Sequence, residues 1–135
     1  MMQIRSWLGP HLNERTEVVL CALPLYHIFA FTVNCLAMLD IGAKNLLIVN
    51  ARDLKSLIKE WNKNPCTVMT GINTLYNGLM NHPDFGSMKT EQLKCCVAGG
   101  MALQKAVAER WKKLTGCYIA EGFGMTESSP VASVN

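Results

Sequence analysis

Short apolar runs of strand length alternate with longer stretches of helical period, and this alternation restricts the fold more than any other feature of the chain. The runs are Val18–Leu23, Leu46–Val49, Thr67–Met69, Cys95–Ala98 and Cys117–Ala120. They are nearly continuous rather than alternating with polar residues, which is the pattern of strands covered on both faces. Between them, Leu54, Leu57, Ile58 and Trp61 recur at helical spacing, as do Leu103, Val107, Trp111 and Leu114. Each set makes one apolar stripe, with Lys55, Lys59, Lys105, Arg110 and Lys112 mostly off it. Punctuation agrees with this division. Asn50, with Asp53 three residues on, suits a helix start; Asn64-Pro65 and His82-Pro83 close two helices; Gly42 and Gly116 suit left-handed caps. The order predicts an α/β unit: a parallel sheet of about five strands, joined by right-handed crossovers, with helices on both faces.

Composition removes several alternatives. The chain has 135 residues, half of them apolar and 17% charged. That is one domain's length, and disorder driven by charge is excluded. A net charge of +3 is too mild to indicate nucleic acid. Residues 1–135 read as one unit, with 1–15 as a peripheral helix and connection and Asp84–Gln92 as the only stretched connection. The segment Met1–Leu8 lacks the apolar core of a signal peptide. The longest apolar stretch, Ile28–Leu39, falls well short of the roughly 20 residues that span a bilayer and reads as a buried helix. Six cysteines lie mostly inside apolar runs and form no C-x-x-C pair, so they read as buried reduced thiols of a cytoplasmic protein.

Ligands of such sheets bind at the carboxyl ends of the strands, and three exits stand out. The first is Pro24-Leu25-Tyr26-His27-Ile28-Phe29, the second Ala98-Gly99-Gly100-Met101-Ala102. The third is Glu121-Gly122-Phe123-Gly124-Met125-Thr126-Glu127-Ser128-Ser129. At the third, the glycines let the backbone turn and approach a ligand, the Phe123 ring could stack on a base, Thr126 could meet phosphate and Glu127 could hold Mg²⁺. The same residues also read as a plain turn with a solvated tail. The Gly99-Gly100 pair reads either as an anion site at a helix start or as a bare strand-to-helix turn. His27 reads either as a catalyst or as a structural residue. His11 and His82 have no chemical setting, and Ser128 and Ser129 lack the surround of a hydrolase nucleophile.

Together the three exits resemble the central region of the long-chain fatty acyl-CoA ligases, members of the adenylate-forming, AMP-binding superfamily. The residues that carry the likeness are Leu23–Phe31, Val97–Leu103 and Glu121–Glu127, with Gly71–Leu75 and Ala108–Gly116 between them. The resemblance implies a subdomain of the large N-terminal domain of that fold. It also implies a two-step reaction in which a fatty acid and ATP give acyl-adenylate and pyrophosphate, and coenzyme A then displaces AMP. It places His27 by the carboxylate and Thr126 on the α-phosphate as catalytic residues, and Glu127 on Mg²⁺. Gly99, Gly100, Met101, Glu121, Gly122, Phe123, Gly124, Met125 and Thr126 would bind nucleotide, and Phe29, Ile72 and Gly100 would border the acyl chain. Phe123 replaces the usual Tyr, and Met101-Ala102 stands where Ala-Pro is common. No Ser/Thr/Gly-rich phosphate loop ending in Lys and no Thr-Gly-Asp element is present. The expectation is a piece of a longer ligase, inactive alone and completed by the remainder of that enzyme. The alternative is a stand-alone nucleotide- or acyl-binding module. A homodimer, and peripheral contact with the inner face of a membrane, are compatible with the family.

Overall fold

The structure is a computed structural model and describes residues 2–128 and 131–134. Six strands form one sheet: β1 (Val18–Cys21), β2 (Lys44–Leu47), β3 (Val68–Gly71), β4 (Cys95–Ala98), β5 (Ile119–Gly124) and β6 (Val131–Val134). They lie in the order β2-β1-β3-β4-β5-β6. All neighbouring pairs are parallel except β5 with β6. The five expected strands are present, so the α/β class stands, but the count and the all-parallel sheet are corrected by β6. Val131-Ala132-Ser133-Val134 is too short and too mixed to read as a covered strand. It forms as the antiparallel partner of β5, which supplies its hydrogen bonds.

Successive strand residues point to opposite cores. Leu20, Met69 and Cys96 face one cluster; Val19, Val68 and Val97 face the other. This is why β1, β3 and β4 are apolar at nearly every position. The first cluster is closed by α4 (Leu54–Lys63), α5 (Asn73–Asn81) and α6 (Lys105–Thr115), through Leu57, Ile58, Trp61, Tyr76, Leu79 and Trp111. Trp111 meets Tyr76 edge to face, with ring centroids 4.8 Å apart. The second cluster is covered by less. There α1 (Met2–Leu8) supplies Ile4 and Leu8. A helical stretch after β1 supplies Phe29, Val33, Ala37 and Met38; it runs through α2 (Ile28–Ala30), a π-helical segment (Phe31–Ala37) and α3 (Met38–Asp40). Three crossovers on one face and one on the other leave the end of β5 open, with Phe123 and Gly124 exposed. That gap positions the site.

Helix ends follow their sequence signals, with adjustments. Asp53, not Asn50, caps α4, its Oδ1 accepting from the Ser56 N–H at 3.0 Å, while Asn50 accepts from Arg52. Gly42 and Gly116 are left-handed as expected, with φ of 70° and 76°. His82 ends α5 and caps the following 3-10 turn, its Nδ1 accepting from the Asp84 N–H at 3.1 Å. The stretch after β1 is not buried all round: Phe31, Leu36 and Leu39 are exposed along one side. Leu114 is likewise exposed, and Leu103 precedes α6 rather than belonging to it.

Within the π-helical segment, the fully buried Asn34 ties the helix to the sheet. Its Nδ2 donates to the Leu20 carbonyl at 3.3 Å, and its Oδ1 accepts from the Thr70 hydroxyl at 2.8 Å. A buried amide in an apolar layer needs such partners.

Candidate functional site

Strand exits carry the polar side chains of the second face to one place. A cavity of about 490 Å³ opens over β4, β5 and β6, within the size range of small-molecule sites. Its wall takes His27 and Phe29 from the first exit, Gly99 and Gly100 from the second, and Gly122 through Glu127 from the third. Three segments far apart in sequence thus meet in one cavity.

Each contribution has a local cause. His27 caps α2, its Nδ1 accepting from the Phe29 N–H at 3.3 Å. That bond leaves Nε2 as the protonated nitrogen, a donor on an exposed ring at the cavity wall. Gly99 lies against the Phe29 ring: a Cβ there would stand 3.2 Å from two ring carbons. Gly100 has φ +77°, a conformation that suits glycine. Glu121–Gly124 does not turn, as the glycines suggest it would; it continues β5, with a register irregularity between Phe123 and Gly124 where β6 pairs. The glycines instead keep that strand low, and the Phe123 ring stands 62% exposed. Thr126–Ser128 is a 3-10 turn closed by the Ser128 hydroxyl, which accepts from the Met125 N–H at 3.0 Å. This leaves Thr126 and Glu127 facing the cavity. Ser129 lies outside the described residues.

Several expected site residues fall elsewhere. Ile72 packs against the core of the three-helix face, so the cavity is walled by Phe29 and not by Ile72. Met101 is 57% exposed and off the cavity lining. Glu121 is also off the lining, its Oε1 accepting from the Leu103 N–H at 2.9 Å. The start of α6 is not an open anion site next to Gly99-Gly100: the helix begins at Lys105, and the Gln104 N–H is already taken by Asn73.

Conversely, the apolar floor contains residues that the motifs do not include: Ile4, Trp7, Leu8, Val33 and Val97. The i, i+3, i+4 spacing of Ile4, Trp7 and Leu8 was the available signal. Beside the cavity, a groove lined by Leu25, Tyr26 and Phe31 shares His27, Ile28 and Thr126 with it.

Chemically, the cavity joins an apolar floor to a rim with one carboxylate, one imidazole donor, the hydroxyls of Thr126 and Ser133, and an aromatic face. No Lys or Arg lines it among the described residues. No group of three or more His, Cys, Asp and Glu stands ready for a resident metal among them either. All six thiols are free and none lines the cavity. Burial pushes Cys66 and Cys95 up to about 12 and Cys96 well above its ordinary value. Cys117 moves down, chiefly because Cys96 hydrogen-bonds to it. No helix among the described residues is long and apolar enough to cross a membrane.

Comparison with known proteins agrees with this layout. A family model described as AMP-binding enzyme matches residues 1–135. A long-chain-fatty-acid–CoA ligase of Salmonella typhimurium is 50% identical over 98% of this chain, which corresponds to 24% of that protein. The ligase of the same description from Bacillus subtilis is 31% identical over 92% of this chain and 22% of its own length. Among solved structures, an anthranilate CoA ligase in complex with anthranoyl-AMP superimposes with a TM-score of 0.87 at 23% identity, covering 99% of this chain and 26% of that one. This chain therefore spans about a quarter of the length of the relatives it matches.

Proposed function

The chain belongs to the AMP-binding enzyme family, and from that premise we propose that it forms the adenylate-handling part of an ATP-dependent long-chain fatty acid–CoA ligase. The observation that carries the proposal is the single cavity that gathers His27, Gly99, Gly100, Phe123, Thr126 and Glu127. In the first step a fatty acid carboxylate oxygen attacks the α-phosphorus of ATP and pyrophosphate leaves. In the second, the coenzyme A thiol attacks the acyl carbon, giving thioester, AMP and a proton.

The residues divide that work by chemistry. The Phe123 ring offers a stacking face to adenine, with Gly122, Gly124 and Met125 beside it. Thr126 offers a hydroxyl to the α-phosphate. His27 Nε2–H can donate to a carboxylate oxygen and orient it for attack. Phe29, Val33, Val97, Ile4, Trp7 and Leu8 suit the apolar chain. Mg²⁺ binds by one or two carboxylates plus substrate phosphates. The lone Glu127 fits an ion that arrives with its nucleotide, and when bound that ion would offset phosphate charge. Other carboxylates and cations for the triphosphate would come from the remainder of the enzyme, because none lines this cavity among the described residues.

Titrating the chain with ATP in the presence and absence of Mg²⁺ tests the reading. Binding is expected to need Mg²⁺ and to lose that requirement in Glu127→Ala, with affinity falling tenfold or more. Equal Mg²⁺-dependent binding by both proteins would remove Glu127 from its role.

A further inference from the structure

The loop between β4 and α6 is held from both sides. At its start, the Gly99 N–H donates to the Gly71 carbonyl at 3.2 Å, and the residue lies against the Phe29 ring. At its end, the Leu103 N–H donates to Glu121 Oε1 on β5 at 2.9 Å, and the Gln104 N–H donates to Asn73 Oδ1 at the start of α5 at 3.0 Å. Gln104 itself precedes α6 and makes no side-chain cap bond. A cap supplied by the helix's own residue would fix only the helix end. Caps supplied from β5 and α5 also fix where the loop lies between them, and this loop carries Gly99 and Gly100 on the cavity wall. A charge-assisted bond to a backbone N–H is among the stronger side-chain bonds.

We propose that Glu121 is a positioning residue: its carboxylate clamps Leu103 and so sets the Gly99–Gly100 wall before a ligand enters. Asn73 is the second, weaker point of the clamp, since its bond is exposed. The motif resemblance puts Glu121 beside the adenine, whereas the geometry has it acting through the loop. This inference rests on the nucleotide reading of the cavity for its functional consequence, but not for the clamp itself.

Hydrogen exchange at the Leu103 amide, together with titration by a non-hydrolysable acyl-adenylate analogue, tests the clamp in wild type, E121Q and E121A. E121Q keeps an acceptor oxygen; E121A has none. In E121A, Leu103 exchange is expected to rise about tenfold or more relative to the buried Met69 amide, and analogue affinity to fall about tenfold. E121Q is expected to bring both back to within about threefold of wild type. Unchanged Leu103 exchange in E121A would overturn the clamp. So would an E121Q protein with normal Leu103 exchange but binding as weak as E121A, because Glu121 would then touch the ligand directly. A wild-type chain that binds no analogue would count against the nucleotide reading, while the exchange result would still decide the clamp. Should E121A lose protection throughout the sheet, Asn73→Ala releases the loop from its exposed side. It is expected to speed exchange at Gln104 and Leu103 alone, and no change there would contradict the inference.

Discussion

The residues just before β1, β3 and β4 and the residues just after β1, β4 and β5 use polar chemistry in opposite ways. At the first end, Glu17 is 1% exposed, yet its Oε1 accepts from the Lys94 ammonium at 2.6 Å and from the Asn13 N–H at 2.7 Å. Thr67 completes the junction, its hydroxyl bonded to both the Val18 N–H and the Val18 carbonyl. The Glu17 carboxylate and the Thr67 hydroxyl are turned inward, and with Lys94 they pin three strands together. At the other end His27, Phe123, Thr126 and Glu127 are exposed around a cavity. One end of the sheet is closed around a buried carboxylate paired with Lys94, and the other opens on a cavity. A carboxylate's role here follows from its surroundings: Glu17 and Glu127 are the same residue type, one serving folding and one available for chemistry.

The contrast can be broken from either side. Lys94→Ala strands the buried Glu17 carboxylate and should cost the most, roughly 2–4 kcal/mol, read by denaturant unfolding. Acid should act on the same junction. Burial alone would raise the Glu17 carboxyl, but Lys94, Thr67 and Asn13 outweigh it and hold the group below its ordinary value of 4.5. Its contribution is therefore present above about pH 4.5 and lost as pH falls through the lower folded value. Wild-type stability should drop in that window, and Lys94→Ala should drop less steeply.

At the open end effects on stability should be smaller and effects on binding larger. Gly99→Ala brings a methyl to 3.2 Å from the Phe29 ring. The ring must shift to make room and it lines the cavity, so stability should fall by about 1 kcal/mol while affinity for an acyl-adenylate analogue also falls. A pre-existing gap at Phe29 would leave both unchanged. Glu127→Ala, on the exposed rim, should move the melting temperature by no more than about 2 °C. A larger shift would make Glu127 a folding residue like Glu17 and erase the contrast.

How much of this could be read in the sequence depended on whether a signal was local. Continuous apolar runs located β1, β3 and β4, because two covered faces demand apolar residues at nearly every position, and they reached only part of β2 and β5, which are more exposed. Left-handed glycines 42 and 116 were legible for the same reason, since the backbone conformation itself favours that residue. β6 was not legible: an edge strand with Ala132 and Ser133 in the middle carries no run and is defined by its partner β5. The three exits were legible as a set, and the structure brings His27, Phe29, Gly99, Gly100 and Gly122 through Glu127 to one cavity, with Ile72, Met101 and Glu121 off its lining. Glu121 and Ile72 lie off the cavity lining, because a motif fixes position along the chain but not the face or the partner. The Leu103 N–H, 18 residues away from Glu121, decides what that carboxylate does. Ile4, Trp7 and Leu8 were missed because the spacing of apolar residues in a seven-residue helix does not say which sheet face it will cover.

The most direct test of the central claim is to follow backbone amide shifts of the 135-residue chain while titrating a non-hydrolysable acyl-adenylate analogue. The account predicts saturable shifts at Gly99, Gly100 and Gly122 through Glu127, with Asn13, Glu17, Thr67 and Lys94 unmoved. An absence of saturable shifts at the carboxyl ends of the strands, or shifts centred on Glu17 and Lys94, would contradict it.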